Sequence, residues 1–162
     1  MAVVSEITAL RHSLEVGDKI SFINEVANLC EKLGVDVTDI VRGIGSDSRI
    51  GKEFLNPGPG YGGSCFPKDA NAILKTANDH GVLLGIIDSA VKANNQRKMD
   101  ITKRILGIFS KNLEGIKLGI LGITFKANTD DIRESVAIDV IPKLQENGAI
   151  IRVYDPKQNK KI

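Results

Sequence analysis

Cys65 ends a stretch unlike the rest of the chain: Asn56-Pro57-Gly58-Pro59-Gly60-Tyr61-Gly62-Gly63-Ser64-Cys65 holds four glycines and two prolines in ten residues. No helix or strand survives that composition, because proline removes backbone donors and glycine gives up the most entropy when ordered. Pro67, two residues on, suits the first turn of a helix. A cysteine at that junction sits beside unpaired amides and the positive end of a helix dipole, which favour thiolate over thiol. Lys68 adds a cation in the first turn. Asp69, one turn from Cys65, is placed to orient a water or to exchange a proton with a covalent intermediate on sulfur. The chemistry spelled out is nucleophilic attack by sulfur, in a loop whose glycines let backbone approach a ligand closely. The alternative for Cys65 is a small buried cysteine that merely ends a loop. Cys30 occupies the apolar face of a helix and reads as core. His12 and His80 have no partner pattern and read as surface residues.

The elements that must position this loop follow from periodicity. Residues 19–33 carry Ile20, Ile23, Val26, Ala27, Cys30 and Leu33 at helical spacing, with Gly34 as a stop. A short helix is expected from Thr38, acting as its cap, to Gly43–Gly45. Another runs from Pro67 to Gly81, and a long one spans residues 84–109, with Ile87, Ala90, Val91, Asn94, Ile101, Ile105 and Phe109 near one stripe. The pattern then changes. Residues 117–125 form a compact apolar run with the look of a buried parallel strand. Residues 135–147 read as a helix closed by Gly148 and kinked by Pro142, and residues 149–154 as a second strand ended by Asp155-Pro156.

The expected fold is therefore mainly α: a helical domain of about six elements, then an incomplete Rossmann-like βαβ unit. The expected boundaries are a divergent segment over residues 1–18, a helical central domain over 19–113 and an α/β unit over 114–162. Two strands and one helix cannot cover both faces of a sheet, so the sequence reads as cut at its C-terminus or as pairing its last unit with another chain.

Composition narrows the function classes. The chain has 162 residues with 22 Lys+Arg against 20 Asp+Glu, so no basic field points to nucleic acid. Hydrophobic residues make up 42%, which excludes wholesale disorder, and with aromatics at 4% and no Trp the core must be aliphatic. No apolar run reaches the length of a membrane span, and no signal pattern opens the chain. Cys30 and Cys65 form neither metal-ligand spacing nor a disulfide framework. The expectation is a soluble, cytoplasmic protein in a reducing compartment.

The run from Phe54 through Asp69, Phe54-Leu55-Asn56-Pro57-Gly58-Pro59-Gly60-Tyr61-Gly62-Gly63-Ser64-Cys65-Phe66-Pro67-Lys68-Asp69, closely resembles the active-site loop of the UDP-glucose 6-dehydrogenases, within the UDP-glucose/GDP-mannose dehydrogenase family. Lys19-Ile20-Ser21-Phe22-Ile23-Asn24-Glu25 resembles the family's central domain, and the segments 119–126 and 131–135 resemble the start of its C-terminal domain, so the likeness runs from about Lys19 to Lys157. Phe66 leans toward UDP-glucose as substrate. The resemblance implies oxidation of the C6 alcohol of UDP-glucose to a carboxylate in two hydride transfers to NAD, with Cys65 attacking the aldehyde to give a thiohemiacetal and later a thioester that water hydrolyses. It implies Asp69 beside the catalytic water and Lys68 near the cofactor. It implies a substrate-wrapping loop from Phe54, Leu55, Asn56, Pro57 and Gly58, with Tyr61 and Gly62. It further implies that Arg49 reaches the substrate of a neighbouring subunit in a homodimer, that Phe125 and Lys126 meet the nucleotide sugar, and that Arg133 lies on the NAD side.

Plain alternatives remain beside these roles: Arg49 as a solvated charge, Asp130 and Glu134 as members of a charged loop, Phe54 and Leu55 as core. The departures from the family pattern are a missing dinucleotide-binding domain with its glycine fingerprint, Ala9 and Ser13 where the family has a catalytic lysine and a substrate-binding asparagine, and a C-terminal unit that stops after its second strand. Three function classes follow. The first is a UDP-glucose dehydrogenase chain that is inactive by itself, and the second a non-catalytic helical dimerisation module. The third is a stand-alone thiol protein, disfavoured because no resolving cysteine lies near Cys65.

Overall fold

The computed structural model describes the backbone of residues 2–157 and the side chains of residue 10 and residues 13–157. The order is α1 (Ala2–Leu33), α2 (Val37–Gly45), α3 (Phe66–Asp79), α4 (Gly85–Ile108), β1 (Lys117–Leu121), α5 (Val136–Glu146) and β2 (Ile150–Tyr154). The chain is mainly helical and its one sheet is a parallel pair of strands, as the sequence leads one to expect. The helical part contains four helices among the described residues, fewer than the six or so elements expected.

α1 is one continuous helix from Ala2, so its expected start at Lys19 is corrected. Gly17 is a poor helix former, but its bare face receives the ring of Tyr61, which a Cβ there would meet at 3.5 Å. Val16, Ile23 and Cys30, spaced two helical turns apart, are 3%, 0% and 3% exposed and form the buried stripe of α1, which packs on α2, α3 and α4. Cys30 is core, as expected. The helix ends in a left-handed Gly34, and the Val35 amide donates back to the Cys30 carbonyl at 3.0 Å, the arrangement that serves orphan carbonyls at a helix end.

The cap of α2 is Asp36, not Thr38. The Asp36 carboxylate accepts from the Thr38 amide at 2.8 Å, and this bond holds the Asp36 carboxyl below the usual carboxylate range. Thr38 lies inside the first turn, where a carboxylate two residues earlier reaches its N–H more directly than its own hydroxyl reaches forward.

The βαβ unit departs from expectation in two ways. β1 ends at Leu121 instead of continuing to Phe125, and both strands alternate between exposed and half-buried positions. Leu121 is 85% exposed. With two strands covered on one face, the other face stays open, so a doubly buried strand does not form. The register pairs Lys117 with Ile150 and Leu121 with Tyr154. α5 continues through Pro142 without interruption. The bond that proline forfeits is to the carbonyl of Ile138, an exposed residue where water can serve.

The helical and α/β parts share a core. Leu113, Val140, Leu144 and Ala149 are buried together, and Ile101, Ile105 and Phe109 from the end of α4 pack against them. Each such aliphatic side chain contributes roughly 1.5–3 kcal/mol by leaving water, so residues 112–116 join two packed layers firmly.

Candidate active site

Cys65 precedes α3 as its N-cap residue, and its side chain is exposed. This removes the reading of Cys65 as a buried loop-ending residue. Its carbonyl accepts from the Asp69 amide at 2.8 Å, so the first turn of α3 sets the thiol and the Asp69 carboxylate one turn apart on a rigid element. Pro67 lies in that first turn, as expected. The Ser64 hydroxyl is 3.8 Å from the Cys65 sulfur. Lys68 is exposed beside them. Ser13, half-buried on α1, donates its hydroxyl to Asp69 Oδ2 at 2.8 Å, which ties α1 to the head of α3. Ala9, the other departure from the family pattern, and His12 have side chains outside the described residues. His80 is exposed at the end of α3, with Nδ1 2.8 Å from the Thr76 carbonyl oxygen.

The glycine-rich loop is held from both sides. On the helical side the Gly58 amide donates to Asn24 Oδ1 at 2.8 Å and the Gly58 carbonyl accepts from Arg97 Nε at 2.9 Å. The Tyr61 amide and carbonyl bond to the Asn94 side chain at 2.8 and 3.1 Å. On the other side Gly62 and Gly63 lie flush against residues 125–135. A Cβ on Gly62 would stand 1.9 Å from the Glu134 carbonyl oxygen, and one on Gly63 2.8 Å from the Phe125 ring. The Gly63 amide donates to the Arg133 carbonyl at 3.0 Å. Glycine is required at both positions because nothing larger fits. Glu134 itself has φ +53, a left-handed conformation uncommon for its type.

The expected substrate-loop residues separate by burial. Leu55 is 1% exposed and Tyr61 7%, so their side chains belong to the core. The Tyr61 ring meets Phe66 edge-on at 6.2 Å. Burial, reinforced by the charge of Asp18, pushes the Tyr61 phenol up. Phe54, Asn56 and Gly58 line a cleft of about 1010 Å³ together with Arg42 and Lys52. Phe54 holds φ +63, a strained placement for an aromatic residue at a cleft edge. Pro57 completes the loop between Asn56 and Gly58.

A second cavity of about 610 Å³ is lined by Thr124, Phe125, Lys126, Ser135 and Lys157, among others. It opens at the C-terminal ends of the two parallel strands, where ligands of such sheets bind. Lys126 Nζ stands 5.2 Å from the Phe125 ring centroid. Gly60 lines both cavities, so the glycine-rich loop is the wall between them. The Asp155 carboxylate accepts from the Ile123 and Thr124 amides at 2.8 and 3.3 Å and fixes the turn that carries Phe125 and Lys126.

Arg133 forks onto Asp131 at 2.9 and 2.7 Å. That pairing raises the Arg133 guanidinium. Asp131 in turn is held down to about 2 by Arg133. Arg49 is 86% exposed, and its side chain engages Asp47.

The structure thus sets Cys65, Lys68 and Asp69 at the head of α3, and Phe125, Lys126 and Arg133 on the segment that packs against Gly62 and Gly63. Arg49 stands apart from them on the loop after α2. Sequence reasoning missed the parts played by Asn24, Arg97 and Asp155. Asn94 was legible as a member of the α4 stripe, but its role was not. Gly58, Gly60 and Gly63 do have the Gly-x-Gly-x-x-Gly spacing, which corrects the expectation of no such glycines. They follow no strand, however, and the Gly58 amide is already taken by Asn24, so this is not a dinucleotide-binding turn.

Comparison with known proteins agrees with this geometry. Residues 4–96 match the sequence profile of the UDP-glucose/GDP-mannose dehydrogenase family, central domain, and residues 119–162 that of the same family's UDP binding domain. The first match begins before Lys19, so the likeness extends further toward the N-terminus than the sequence motifs indicate. The chain is 50% identical over 139 residues to the UDP-glucose 6-dehydrogenase of Rhizobium meliloti (strain 1021), covering 86% of this chain and 32% of that protein. It is 44% identical over 138 residues to UDP-glucose 6-dehydrogenase TuaD of Bacillus subtilis (strain 168), covering 85% and 30%. Among solved structures, a UDP-glucose dehydrogenase from the hyperthermophilic archaeon Pyrobaculum islandicum superposes with a TM-score of 0.88 at 35% identity, over 93% of this chain and 34% of that one. The chain spans about a third of the length of the relatives it matches.

Proposed function

The chain belongs to the UDP-glucose/GDP-mannose dehydrogenase family, and from that premise we propose that it carries the thiol nucleophile and part of the substrate site of a UDP-glucose 6-dehydrogenase. The observation that carries the reading is the exposed Cys65 at the head of α3, one turn from Asp69, at the end of a glycine-rich loop whose Gly60 borders two cavities. UDP-glucose would lie along that loop, with Phe54, Asn56 and Gly58 on one side and Phe125 and Lys126 on the other. Leu55 and Tyr61, buried, support the loop from beneath.

In this reading NAD would supply the hydride acceptor for the two oxidations. The described residues offer no strand–glycine turn–helix cradle for a dinucleotide; in this reading Lys68 and Arg133 would lie toward its reactive end. A whole NAD molecule does not fit these residues, and these 162 residues tested by themselves would form NADH negligibly. What the chain supplies is covalent chemistry. The Cys65 sulfur adds to the sugar aldehyde, a C–S bond forms, and the carbonyl oxygen takes a proton to give a thiohemiacetal. At the thioester stage water adds to the carbonyl, Asp69 takes the water's proton, and the C–S bond breaks with the thiolate as leaving group.

A second reading, a helical dimerisation module, rests on the exposed Phe22, Leu29 and Leu33 of α1 and Leu83 and Ile86 at the head of α4, the face on which a homodimer would form. Arg49 would then serve the partner subunit's substrate. No helix among the described residues is long and apolar enough to cross a membrane, and with both cysteines free the reading places the chain in the reducing cytoplasm.

The test is protection of the thiol. The C6 aldehyde of UDP-glucose should slow iodoacetamide labelling of Cys65 at least tenfold, and buried Cys30 serves as internal control. Unchanged labelling at saturating aldehyde removes the nucleophile role and leaves the dimerisation module. NADH formation from UDP-glucose at the rate of a full-length relative would overturn the expectation of inactivity alone.

A further inference from the structure

The loop of residues 56–64 has no secondary structure of its own, and Pro57 and Pro59 have no amide to donate. Part of its main chain is nonetheless held, by side chains that come from two helices. Asn24 on α1 accepts from the Gly58 amide, and Arg97 on α4 donates to the Gly58 carbonyl. Asn94, one turn before Arg97 on α4, takes both the amide and the carbonyl of Tyr61. Four main-chain groups at two loop positions are thus held by three side chains.

These are costly residues for their positions. Asn24 is 3% exposed and Asn94 4%, on helix faces where an aliphatic side chain would bury without penalty. Asn24 Nδ2 has no partner among the described residues, so this amide is retained for its acceptor alone, and that acceptor is spent on Gly58. Gly60 lies between the two clamped residues at φ +114, and a Cβ there would stand 2.9 Å from Asn94 Oδ1, so the loop comes down onto Asn94 as closely as backbone allows. Arg97 is held in turn by Asn28, which also accepts from Arg104 at 3.2 Å. The clamp is part of a polar ladder between α1 and α4.

We propose that Asn94, with Asn24 and Arg97, forms a set of positioning residues that fixes the loop presenting Cys65 in its working conformation before any ligand arrives. The word "working" rests on the functional reading above; the clamp itself does not. Fixing Tyr61 sets Gly62 and Gly63 against Glu134 and Phe125, and so sets the direction in which the chain enters α3 at Cys65. A loop preordered in this way loses little entropy when a substrate lies along it.

Amide hydrogen exchange on the full chain, with Asn94→Asp and Asn94→Leu variants, tests this. In the unmodified chain the Tyr61 and Gly58 amides should exchange at least tenfold more slowly than that of Gly60, which lies between them. Asn94→Asp keeps the acceptor for the Tyr61 amide and loses the donor to its carbonyl; Asn94→Leu loses both. Tyr61 exchange should rise in the order unmodified, Asp, Leu, by tenfold or more at the end, while the amides of Ile120 and Val153 in the sheet change less than twofold. The rate of Cys65 alkylation should shift severalfold in Asn94→Leu and be largely restored in Asn94→Asp. A Tyr61 amide as fast as Gly60 in the unmodified chain, or one alkylation rate in all three proteins, overturns the proposal. If Asn94→Leu does not fold, the unmodified chain and Asn94→Asp decide alone. If the sugar aldehyde fails to protect Cys65 while the exchange order holds, the substrate reading falls and the clamp stands.

Discussion

The Ser13 hydroxyl donates to the Asp69 carboxylate across 2.8 Å, joining residues 56 positions apart. The bond is made inside the protein, on the carboxylate one turn from Cys65. Ser13→Ala should therefore destabilise the chain by about 1 kcal/mol, the net worth of a partly buried bond to a charged group, read by urea unfolding. Ser13→Asn retains a donor and should recover most of that loss. Equal stability of the Ala variant and the unmodified chain would show that the bond is not formed in solution.

Gly62 and Gly58 make a matched pair. A Cβ on Gly62 meets the Glu134 carbonyl oxygen at 1.9 Å, while one on Gly58 meets nothing within 4 Å. Gly62→Ala should cost about 1–3 kcal/mol through overpacking against backbone. Gly58→Ala should stay within about 0.5 kcal/mol of the unmodified chain. The same urea midpoints distinguish them, and similar losses in both variants would mean that the loop does not lie against residues 125–135.

Lys98 is buried to 8% side-chain exposure, and its ammonium pairs with Asp139 of α5 at 2.8 Å. Asp139→Asn would leave that buried cation without its counter-charge and should cost about 1–3 kcal/mol, moderated because Asp139 is itself partly exposed. Lys98→Met removes the cation as well and should fall within about 1 kcal/mol of the unmodified chain or above it. Thermal unfolding of the two variants gives the comparison; a larger loss in Lys98→Met than in Asp139→Asn would contradict it.

Acid should loosen the turn that carries Phe125 and Lys126. Arg133 holds the Asp131 carboxyl at about 2 in the folded chain, against an unfolded value of about 3.9. The unfolded state therefore takes up the proton first, and the stabilisation present above about pH 4 is lost progressively as pH falls toward 2. Asp131→Asn should unfold with a weaker pH dependence across that window. Hydrogen exchange at the Phe125 amide, which donates to the Asp131 carbonyl at 3.0 Å, follows the turn directly. A variant with the same pH profile as the unmodified chain would remove Asp131 from this role.

Much of the architecture was written locally. The α1 and α4 stripes, the proline at the head of α3 and the left-handed glycine after α1 each depend on neighbours within a turn or two, so periodicity and turn chemistry suffice to find them. The glycine-rich loop and its terminal cysteine stood out for the same reason. Where local signals misled, a tertiary contact had outweighed them: Gly17 is tolerated in α1 because Tyr61 fills its open side, and β1 stops at Leu121 as the Asp155 carboxylate takes the Ile123 and Thr124 amides.

What the loop rests on was not legible at all. Asn24 meets Gly58 from 34 positions away and Asn94 meets Tyr61 from 33, and neither asparagine carries a mark of that in its own segment. Lys98 falls in the buried stripe of α4, at a slot where a charge reads as solvated; only the return of α5 supplies the Asp139 that allows it to be buried. The residue types and their order set the helices and the thiol at the end of a glycine-rich run. The return of the chain determined which polar groups could pair across those helices, because a buried hydrogen bond depends on two distant segments arriving at one place.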